Sequence, residues 1–399
     1  MMSPLSELKQ ELISTPAVAT VSAQAAGRRR APLTVRIEAI TEEHLAGWRQ
    51  LERRIGEVPL AVSSDWTETW LNHYGGVVPA RVALGETDGM LRGICLVTEG
   101  VGRHAGPFPL RTRHIGTAGE RHGESVCVEY NSLLVEDRFR DSFASGVIQV
   151  VLQESSFDAL HLDGFRESEL PIGRRNDAGF ELTRRSSRYF DLRATRDAGA
   201  DVLERLGRST RSKLRRTLKK YGELDIQWAE SIDEADEILT ELTELHQARW
   251  QSAGEHGAFA AERFREFQRE LAVRLVPQRR AVLFRVRHQG ATVGCLMLLV
   301  DRGRMLDYLS GFAPFDEKPS PGIVTHYLCM QEALLRGFDA YDFLVGDKRH
   351  KENLSTDSNE LVWAVHQRPT GRNRLVGCLR KARRFVRGTR RSATEEEAE

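Results

Sequence analysis

The order of elements between residues 281 and 345 constrains the fold more than any other feature of this sequence. Apolar runs separated by glycine-containing turns predict an antiparallel meander of three strands, at residues 281–287, 292–300 and 305–312. A helix is predicted from Gly322 to its end at Gly337, and residues 341–345 predict a short buried strand. This order places the helix N-terminus beside the end of the third strand, where unpaired N–H groups and the helix dipole stabilise a phosphate.

The loop before this helix contains the candidate phosphate ligands. Proline has no N–H group, so Pro319 and Pro321 cannot donate. The remaining candidates offer an ammonium, main-chain N–H groups or hydroxyls, and they are Lys318, Ser320, Gly322, Ile323, Val324 and Thr325. A simpler interpretation is also open, in which the prolines and the glycine only shape the start of the helix.

The first half of the chain repeats this order with weaker signals. Strands are predicted at residues 33–37, 80–84, 91–98, 131–135 and 159–162, and helices at 41–55, 66–74 and 138–153. Further helices are predicted at 201–221, 231–250 and 260–275. We therefore predict two copies of one α/β plan, each with a mixed, mostly antiparallel sheet flanked by helices. The predicted boundaries are a disordered N-terminal tail at 1–32, a first unit at 33–195, a second unit at 196–367 and a basic then acidic C-terminal tail at 368–399.

Composition excludes several classes of function. The chain has 58 Lys and Arg against 57 Asp and Glu, so its net charge of +1 gives no overall attraction to DNA, and no DNA partner is expected. The five cysteines form no CxxC pair, which argues against a zinc knuckle or a disulfide framework and favours reduced thiols. No apolar run reaches the roughly 18 residues that span a bilayer. We expect a cytoplasmic protein without a metal.

Two basic segments bear on partners. Residues 205–220 contain eight Lys or Arg and no acid, and residues 368–391 contain ten and no acid. Either segment could contact phosphate, and apolar residues interleaved in the second give it the pattern of a peripheral membrane helix. The alternatives are a solvated helix face and a disordered tail, or neutralisation by the acidic stretch at 230–244.

Several ordered pieces of the second half resemble a known family. They are Tyr308-Leu309-Ser310-Gly311-Phe312, then Ser320-Pro321-Gly322, a helix ending at Gly337, then Tyr341-Asp342-Phe343-Leu344-Val345-Gly346-Asp347 and Lys351, with His246 and Arg249-Trp250 upstream. This set resembles the cellulose-biosynthesis-type acetyltransferases of the GNAT superfamily. The resemblance implies an acyl-CoA N-acyltransferase (GNAT) fold in two tandem units, as also in the Fem-type aminoacyl transferases. It implies acyl transfer from acyl-CoA, such as acetyl-CoA, to an amine or hydroxyl, with exopolysaccharide biosynthesis as its setting.

Acyl transfer from a thioester requires a neutral nucleophile and a proton for the departing thiolate. Tyr308 is a candidate proton donor and Asp307 a candidate base, and strict strand alternation predicts that their side chains point to opposite faces, with Leu309 on the face of Asp307. Asp342 and Asp347 flank the strand at 341–345 and are further candidates for orienting or deprotonating the acceptor. An ordinary sheet aromatic, a solvated strand residue and a structural ion pair are the open alternatives for these positions.

Acceptor binding is predicted for His246, Arg249, Trp250 and Lys351. The favoured function is an acyltransferase that moves an acetyl or longer acyl group from acyl-CoA to a small molecule or saccharide precursor, with a degenerate first unit. One alternative is a Fem-type transferase whose donor is aminoacyl-tRNA. The other is a non-catalytic adaptor with the same fold, which recruits partners or a membrane surface through its basic C-terminal tail.

Overall fold

The computed structural model describes residues 18–21, 32–105, 107–127, 129–172, 179–314, 320–371 and 373. The strands are β1 Val18–Val21, β2 Leu33–Ala39, β3 Ala80–Thr87, β4 Met90–Glu99, β5 His104–Ala105, β6 Phe108–Pro109, β7 Thr112–Ile115, β8 Leu134–Val135, β9 Ala159–Arg166, β10 Phe180–Asp191, β11 Asp225–Trp228, β12 Ala281–His288, β13 Ala291–Asp301, β14 Arg304–Phe312, β15 Ala340–Val345 and β16 Asp357–Gln367. The helices are α1 Glu42–Ile55, α2 Ser64–Tyr74, α3 Arg140–Gln153, α4 Leu192–Asp197, α5 Val202–Arg205, α6 Arg208–Tyr221, α7 Ile232–Ser252, α8 Glu262–Leu275, α9 Pro321–Leu335 and α10 Arg349–Leu354.

One continuous sheet runs through both halves of the chain. Its strand order is β1-β2-β3-β4-β7-β9-β16-β10-β15-β14-β13-β12-β11, with β8 paired to β4. The predicted meander of β12, β13 and β14 is confirmed by antiparallel pairing, whereas β7 with β9 and β14 with β15 are parallel. The tandem α/β plan is therefore present, and its two halves meet at a central exchange of strands.

Because of that exchange, the boundary predicted at residue 195 does not divide the sheet into two sets of consecutive strands. Strand β10 follows the first unit in sequence but pairs with β15, and β16 follows the second unit but pairs with β9. The two strands also pair with each other, so each half contributes a strand to the other. No strand was predicted at β10, because its central residues from Arg184 to Ser186 are polar and largely exposed and break the apolar alternation.

Two further predictions need correction. The segment predicted as a disordered tail at 1–32 contains strand β1, which pairs antiparallel with β2. The helix predicted at 201–221 is two helices, α5 and α6, because the chain is extended at Leu206 and Gly207. The C-terminal tail lies outside the described residues apart from its first few positions.

Capping and amphipathicity explain the helices that cover one face of the sheet. Helix α1 begins after its N-cap Thr41, whose hydroxyl accepts from the N–H of His44, and α7 begins with the predicted capping box of Ser231 and Glu234.

Helices α2 and α8 pack against each other and join the halves through one apolar core, in which the Trp66 ring meets the Phe267 ring edge-on at 5.5 Å. Helix α3 covers the opposite face of the first half, and α9 that of the second. Of the helices described, none has the length and apolar character that crossing a bilayer requires.

Candidate active site

Strands β14 and β15 diverge and leave a gap in the sheet. They are paired only from Arg304 with Ala340 to Leu306 with Asp342, after which β14 continues to Phe312 paired with β13 on its other edge. Within the described part of the chain, no strand occupies the exposed edge of β14 beyond that point. An extended ligand that carries amide groups can bind such an edge through main-chain hydrogen bonds.

A bulge in β14 changes which side chains face this gap. Met297 pairs with Leu309 and Leu298 pairs with Asp307, so Tyr308 is an extra residue. As a result, Tyr308 and Leu309 both pack in the core shared by the two halves, while Asp307 turns to the opposite face, toward α9. The predicted placement of Asp307 and Leu309 on one face is therefore wrong, although Asp307 and Tyr308 do point to opposite faces.

Asp307 is largely buried on the face of the sheet where His326 and His350 stack. Its side chain is 9% exposed, and its Oδ2 atom lies 3.8 Å from Nε2 of His326. Its Oδ1 atom has no hydrogen-bond partner among the residues that the structure describes. Burial raises the pKa of Asp307 to about 6, against the opposing effect of Lys351. The rings of His326 and His350 stack at 5.4 Å, and burial lowers their pKa values to about 3 and about 4.

Tyr308 is held between the halves by two hydrogen bonds. Its hydroxyl donates to the main-chain carbonyl of Val126 at 2.9 Å and accepts from the side-chain amide of Gln268 at 2.9 Å. Burial raises the pKa of Tyr308 well above its usual value. The Tyr308 proton is already in a hydrogen bond with the Val126 carbonyl, so donation to a thiolate would require that bond to break. In this arrangement Tyr308 lines the site.

Asp342 is completely buried and fully hydrogen-bonded. Its carboxylate accepts from the Tyr130 hydroxyl, the Ser187 hydroxyl at 2.7 Å, the Arg304 guanidinium at 2.9 Å and the N–H of Leu344 at 2.8 Å. Each oxygen therefore has two donors. Such a carboxylate is suited to fixing the strand end and the contact between the halves rather than to accepting a substrate proton.

The chain after β15 turns sharply around Lys351. The Lys351 ammonium donates to the carbonyls of Leu344 at 3.1 Å and Val345 at 3.0 Å, and Leu344 has a left-handed φ of 58°. Asp347 is exposed, and no contact joins it to Lys351. Lys351 thus closes the loop at the mouth of the gap.

The start of α9 supplies only part of the predicted phosphate site. Ser320 is its N-cap and makes no side-chain capping bond, so among the described residues no side chain accepts from the main-chain N–H groups of Gly322 and Ile323 in the first turn. Val324 and Thr325 are buried, and the Thr325 hydroxyl donates to the carbonyl of Pro321 at 2.9 Å. Lys318 lies outside the described residues.

The three predicted acceptor ligands upstream lie together at the end of α7. The indole N–H of Trp250 donates to Nε2 of His246 at 2.9 Å, while Arg249 and Trp250 are exposed. Lys348, in the loop after β15, has its pKa lowered first by burial and then by the charges of Arg249 and Lys351. The end of α7 and the loop after β15 therefore form one positively charged rim.

Glu129 is a functional candidate that sequence reasoning missed. It belongs to the first half, and its Oε2 atom accepts from the N–H of Val345, beyond the point where β14 and β15 part, at 2.9 Å. Burial raises the pKa of Glu129 to about 7, although the Val345 N–H and Lys351 oppose this shift. No local pattern indicates this role. Glu129 lies in an irregular connection of the first half, and its partner Val345 is 216 positions away in sequence.

Glu129 also lines a small cavity between the halves. The cavity has a volume of about 30 Å³ and is mostly apolar, with walls that include Trp66, Tyr130, Leu306, Tyr308 and Leu344. Glu129 and Asp307 thus approach the gap from opposite faces of the sheet. Both carboxyls have raised pKa values, which is common for groups that transfer protons in catalytic sites.

Comparison with known proteins agrees with this geometry. Residues 208–352 match the family model of the acetyltransferase (GNAT) domain. The second unit is therefore similar to a GNAT-type acetyltransferase domain. The finer assignment to the cellulose-biosynthesis type stays a prediction, and no curated protein sequence matches the chain.

Solved structures show the same fold over most of the chain. FemX is 13% identical, with a TM-score of 0.53 over 82% of this chain and 96% of that chain. The C-terminal domain of a putative lysylphosphatidylglycerol synthetase from Agrobacterium fabrum is 13% identical, with a TM-score of 0.52 over 85% and 95%. L-PGS from Bacillus licheniformis is 11% identical, with a TM-score of 0.51 over 85% and 96%. At these identities the similarity concerns the fold alone, and it confirms the predicted fold class.

Proposed function

We propose that this protein transfers an acyl group from acyl-CoA to an amine or hydroxyl of a small molecule or saccharide precursor. The observation that carries the proposal is the gap between β14 and β15. Glu129 flanks it on one face of the sheet and Asp307 on the other, and both carboxyl groups have raised pKa values. The match of residues 208–352 to an acetyltransferase domain supports the reaction class. The cytoplasmic location and the exopolysaccharide setting are predictions of the same kind.

In this proposal the donor lies along the free edge of β14. Its amide groups bond to main-chain groups beyond Leu306, and its pyrophosphate lies at the N–H groups of Gly322 and Ile323. The positive rim formed by Arg249, Lys348 and Lys351 adds attraction for the phosphates. Ser320 and Lys318 would extend this contact, whereas Val324 and Thr325 would shape the helix from within the core.

Glu129 acts as the general base in the proposed reaction. The acceptor nitrogen or oxygen attacks the thioester carbon, and its proton passes to Glu129. The C–S bond then breaks, and solvent protonates the departing thiolate to give free coenzyme A, while Glu129 returns its proton to solvent. Asp342 positions Tyr130 and the end of β15 beside this base. His246 and Trp250 are proposed to contact the acceptor from the end of α7.

Replacement of the base tests the mechanism. Glu129→Gln should lower kcat/KM by about 10²-fold to 10⁴-fold and remove the rise in rate with pH that is centred near 7. Coenzyme A release from acetyl-CoA, with a panel of amines and sugars as acceptors, is the measurement. The exposed Glu223→Gln is the matched control and should leave the profile unchanged. If Asp307→Asn removes the rise in rate with pH and Glu129→Gln retains it, the general base is Asp307.

Binding of the donor is tested without an acceptor. Calorimetry should show that coenzyme A binds the full chain at least about tenfold more tightly than pantetheine, because pantetheine lacks the groups that a helix N-terminus stabilises. Equal affinities would exclude the proposed pyrophosphate site. No heat with coenzyme A, acetyl-CoA or longer acyl-CoA would remove acyl-CoA as the donor and leave the adaptor or aminoacyl-tRNA alternative.

A second candidate, aminoacyl transfer from aminoacyl-tRNA, is favoured by one observation. Helix α6 packs on α9 through its apolar face and exposes Arg208, Lys213, Arg215, Arg216, Lys219 and Lys220. Among the described residues, no acid lies within ion-pair distance of these six side chains. The acidic helix α7 pairs instead with other arginines, as Glu241 does with Arg285 and Arg287. This unpaired basic face beside the candidate phosphate site would suit an RNA backbone.

Salt dependence separates this candidate from the first. Removing two phosphate contacts with the double variant Arg215→Gln, Arg216→Gln should reduce the slope of log affinity for tRNA against log salt by about 1.4 to 1.8. Arg53→Gln, an exposed arginine on α1, is the control and should leave the slope unchanged. A slope that the double variant does not alter would exclude RNA contact through α6.

A further inference from the structure

The first half has its own diverging pair of parallel strands, and a different set of residues lies there. Strands β7 and β9 pair from Thr112 with Ala159 to His114 with His161, and then they separate. In topology this last pair corresponds to Leu306 with Asp342 in the second half. Asp163 follows His161 by two residues and therefore lies on the same face of β9. Two imidazoles and one carboxylate thus meet where the strands part.

The donor atoms of these three side chains converge. Asp163 Oδ2 lies 2.9 Å from Nδ1 of His114, and Asp163 Oδ1 lies 4.0 Å from Nδ1 of His161. The imidazole rings stack at 4.7 Å with their planes 22° apart, and one donor atom from each residue lies within 4.8 Å of the other two. Donors that bind one ion at about 2.1 Å in tetrahedral geometry are about 3.4 Å apart, so a small movement of His161 is sufficient.

The surroundings of His114 fix which nitrogen faces the cluster. Its Nδ1 atom lies 2.9 Å from Asp163 Oδ2 and its Nε2 atom lies 3.0 Å from the Thr112 hydroxyl, so without a metal Nδ1–H donates to the carboxylate. A metal at Nδ1 would displace that proton, and an Nε2–H group could then donate to the Thr112 hydroxyl. His114 is nearly buried, whereas the side chains of His161 and Asp163 are 28% and 25% exposed. The cluster is thus anchored in the protein by His114 and exposed to solvent on the side of His161 and Asp163. An ion can enter from that side, and a water molecule can bind it there.

We propose that His114, His161 and Asp163 form a binding site for a divalent transition-metal ion of the Zn²⁺ class, with solvent completing the coordination. Two neutral imidazoles and one carboxylate are the donor set that proteins use for Zn²⁺ and Fe²⁺ sites with an open position. The site is independent of the proposed acyl transfer, because it lies in the other half of the sheet. It departs from the expectation of a protein without a metal.

One neighbouring charge sets the affinity. Arg103 lies beside the cluster, because a Cβ atom at Gly100 would meet the Arg103 side chain at 3.0 Å and Nε2 of His114 at 3.1 Å. Among the described residues, the buried Nε atom of Arg103 has no hydrogen-bond partner. This cation opposes a bound metal ion. Arg103→Gln should therefore tighten metal binding, by about tenfold for each 1.4 kcal/mol of repulsion removed.

The experiment uses untagged full-length protein dialysed against a chelator. Calorimetry with Zn²⁺ alone and absorption titration with Co²⁺ alone should show one ion per chain, with a Co²⁺ spectrum that has no thiolate charge-transfer band. His161→Ala and Asp163→Asn should each weaken binding at least 100-fold, while the exposed His122→Ala should leave it unchanged. Circular dichroism establishes that each variant is folded.

Three results would overturn the proposal. They are the absence of saturable binding by the folded protein, stoichiometric binding that survives both His161→Ala and Asp163→Asn, and a thiolate band that assigns the ion to a cysteine. Coenzyme A calorimetry on the same samples keeps the two proposals distinct, because loss of the metal should leave coenzyme A binding intact.

Discussion

At the scale of single residues, two aspartates close in sequence have opposite environments. Asp342 is fully buried with four donors, whereas Asp347, five positions later, is exposed. The sequence offers both as equivalent candidates for catalysis. Contacts with Tyr130 and Ser187, which lie far away in sequence, assign Asp342 to holding the structure together.

Replacing Asp342 should therefore act on stability first. Asp342→Asn places an amide N–H₂ group against Arg304 and leaves a partly buried guanidinium without its carboxylate, which should lower the free energy of unfolding by about 3 to 5 kcal/mol. Urea denaturation measures the loss. Asp347→Asn is the control and should stay within about 0.5 kcal/mol of the parent. A stable Asp342→Asn variant that has lost turnover would instead make Asp342 part of the chemistry.

Glu129 should make stability depend on pH in a defined direction. Its pKa is raised by burial from 4.5 to about 7, so between these values the folded state retains a proton that the unfolded state has lost. Stability should therefore fall as pH rises from about 4.5 to 7, by at most about 1.4 kcal/mol per pH unit. Urea midpoints at several pH values measure the slope. Glu129→Gln should flatten it, and an equally steep slope in that variant would show that other groups cause it.

At the scale of elements, the contact of α7 with β14 depends on one glycine. A Cβ atom at Gly311 would lie 2.5 Å from the carbonyl oxygen of Leu242 and 3.0 Å from the Leu245 side chain. The helix can therefore lie directly on the strand that forms one side of the gap. This approach positions the end of α7, with His246 and Trp250, at the mouth of the gap.

Adding one methyl group should move α7 away from the strand. Gly311→Ala should destabilise the fold by about 1 to 3 kcal/mol, because the neighbouring atom is main chain and cannot rotate aside. Thermal unfolding measures the effect. Gly207→Ala, at the start of α6, is the matched control, since its added Cβ meets no atom within 4 Å. Equal stability of the two variants would show that α7 can move away from β14 without a loss of stability, which would contradict the prediction.

At the scale of the whole molecule, the exchange of β10 and β16 makes the two halves one folding unit. Strand β16 lies between β9 and β10, and β10 lies between β16 and β15. An apolar core with residues from α2 and α8 also spans the halves. Neither half can therefore complete its sheet from its own consecutive residues.

Truncation tests this interdependence. A fragment of residues 196–399 lacks β9 and β10, so β15 keeps only β14 as a neighbour and β16 loses both of its partners. This fragment should fail to show cooperative unfolding. A fragment of residues 179–399 keeps β10 and should retain more ordered structure by circular dichroism. The full chain should unfold in a single transition by both tryptophan fluorescence and circular dichroism. Separate transitions for two halves, or a cooperative 196–399 fragment, would contradict the shared sheet.

The sequence by itself determined the elements with strong local patterns. The meander, the helix that follows it and the capped starts of α1 and α7 could all be predicted, because strand alternation, turns and caps involve residues close together in the chain. The GNAT-like order of the second half followed from the same local signals.

Only the tertiary structure decided which side chains meet. The bulge at Tyr308 moved Leu309 to the face opposite the predicted one, since a bulge depends on the pairing of two strands rather than on one. Strand β10 has no apolar alternation, because its neighbours in the sheet and not its own pattern hold it in place. Glu129, Asp342 and the cluster of His114, His161 and Asp163 depend on contacts between segments that are distant in sequence, and these contacts set their partners.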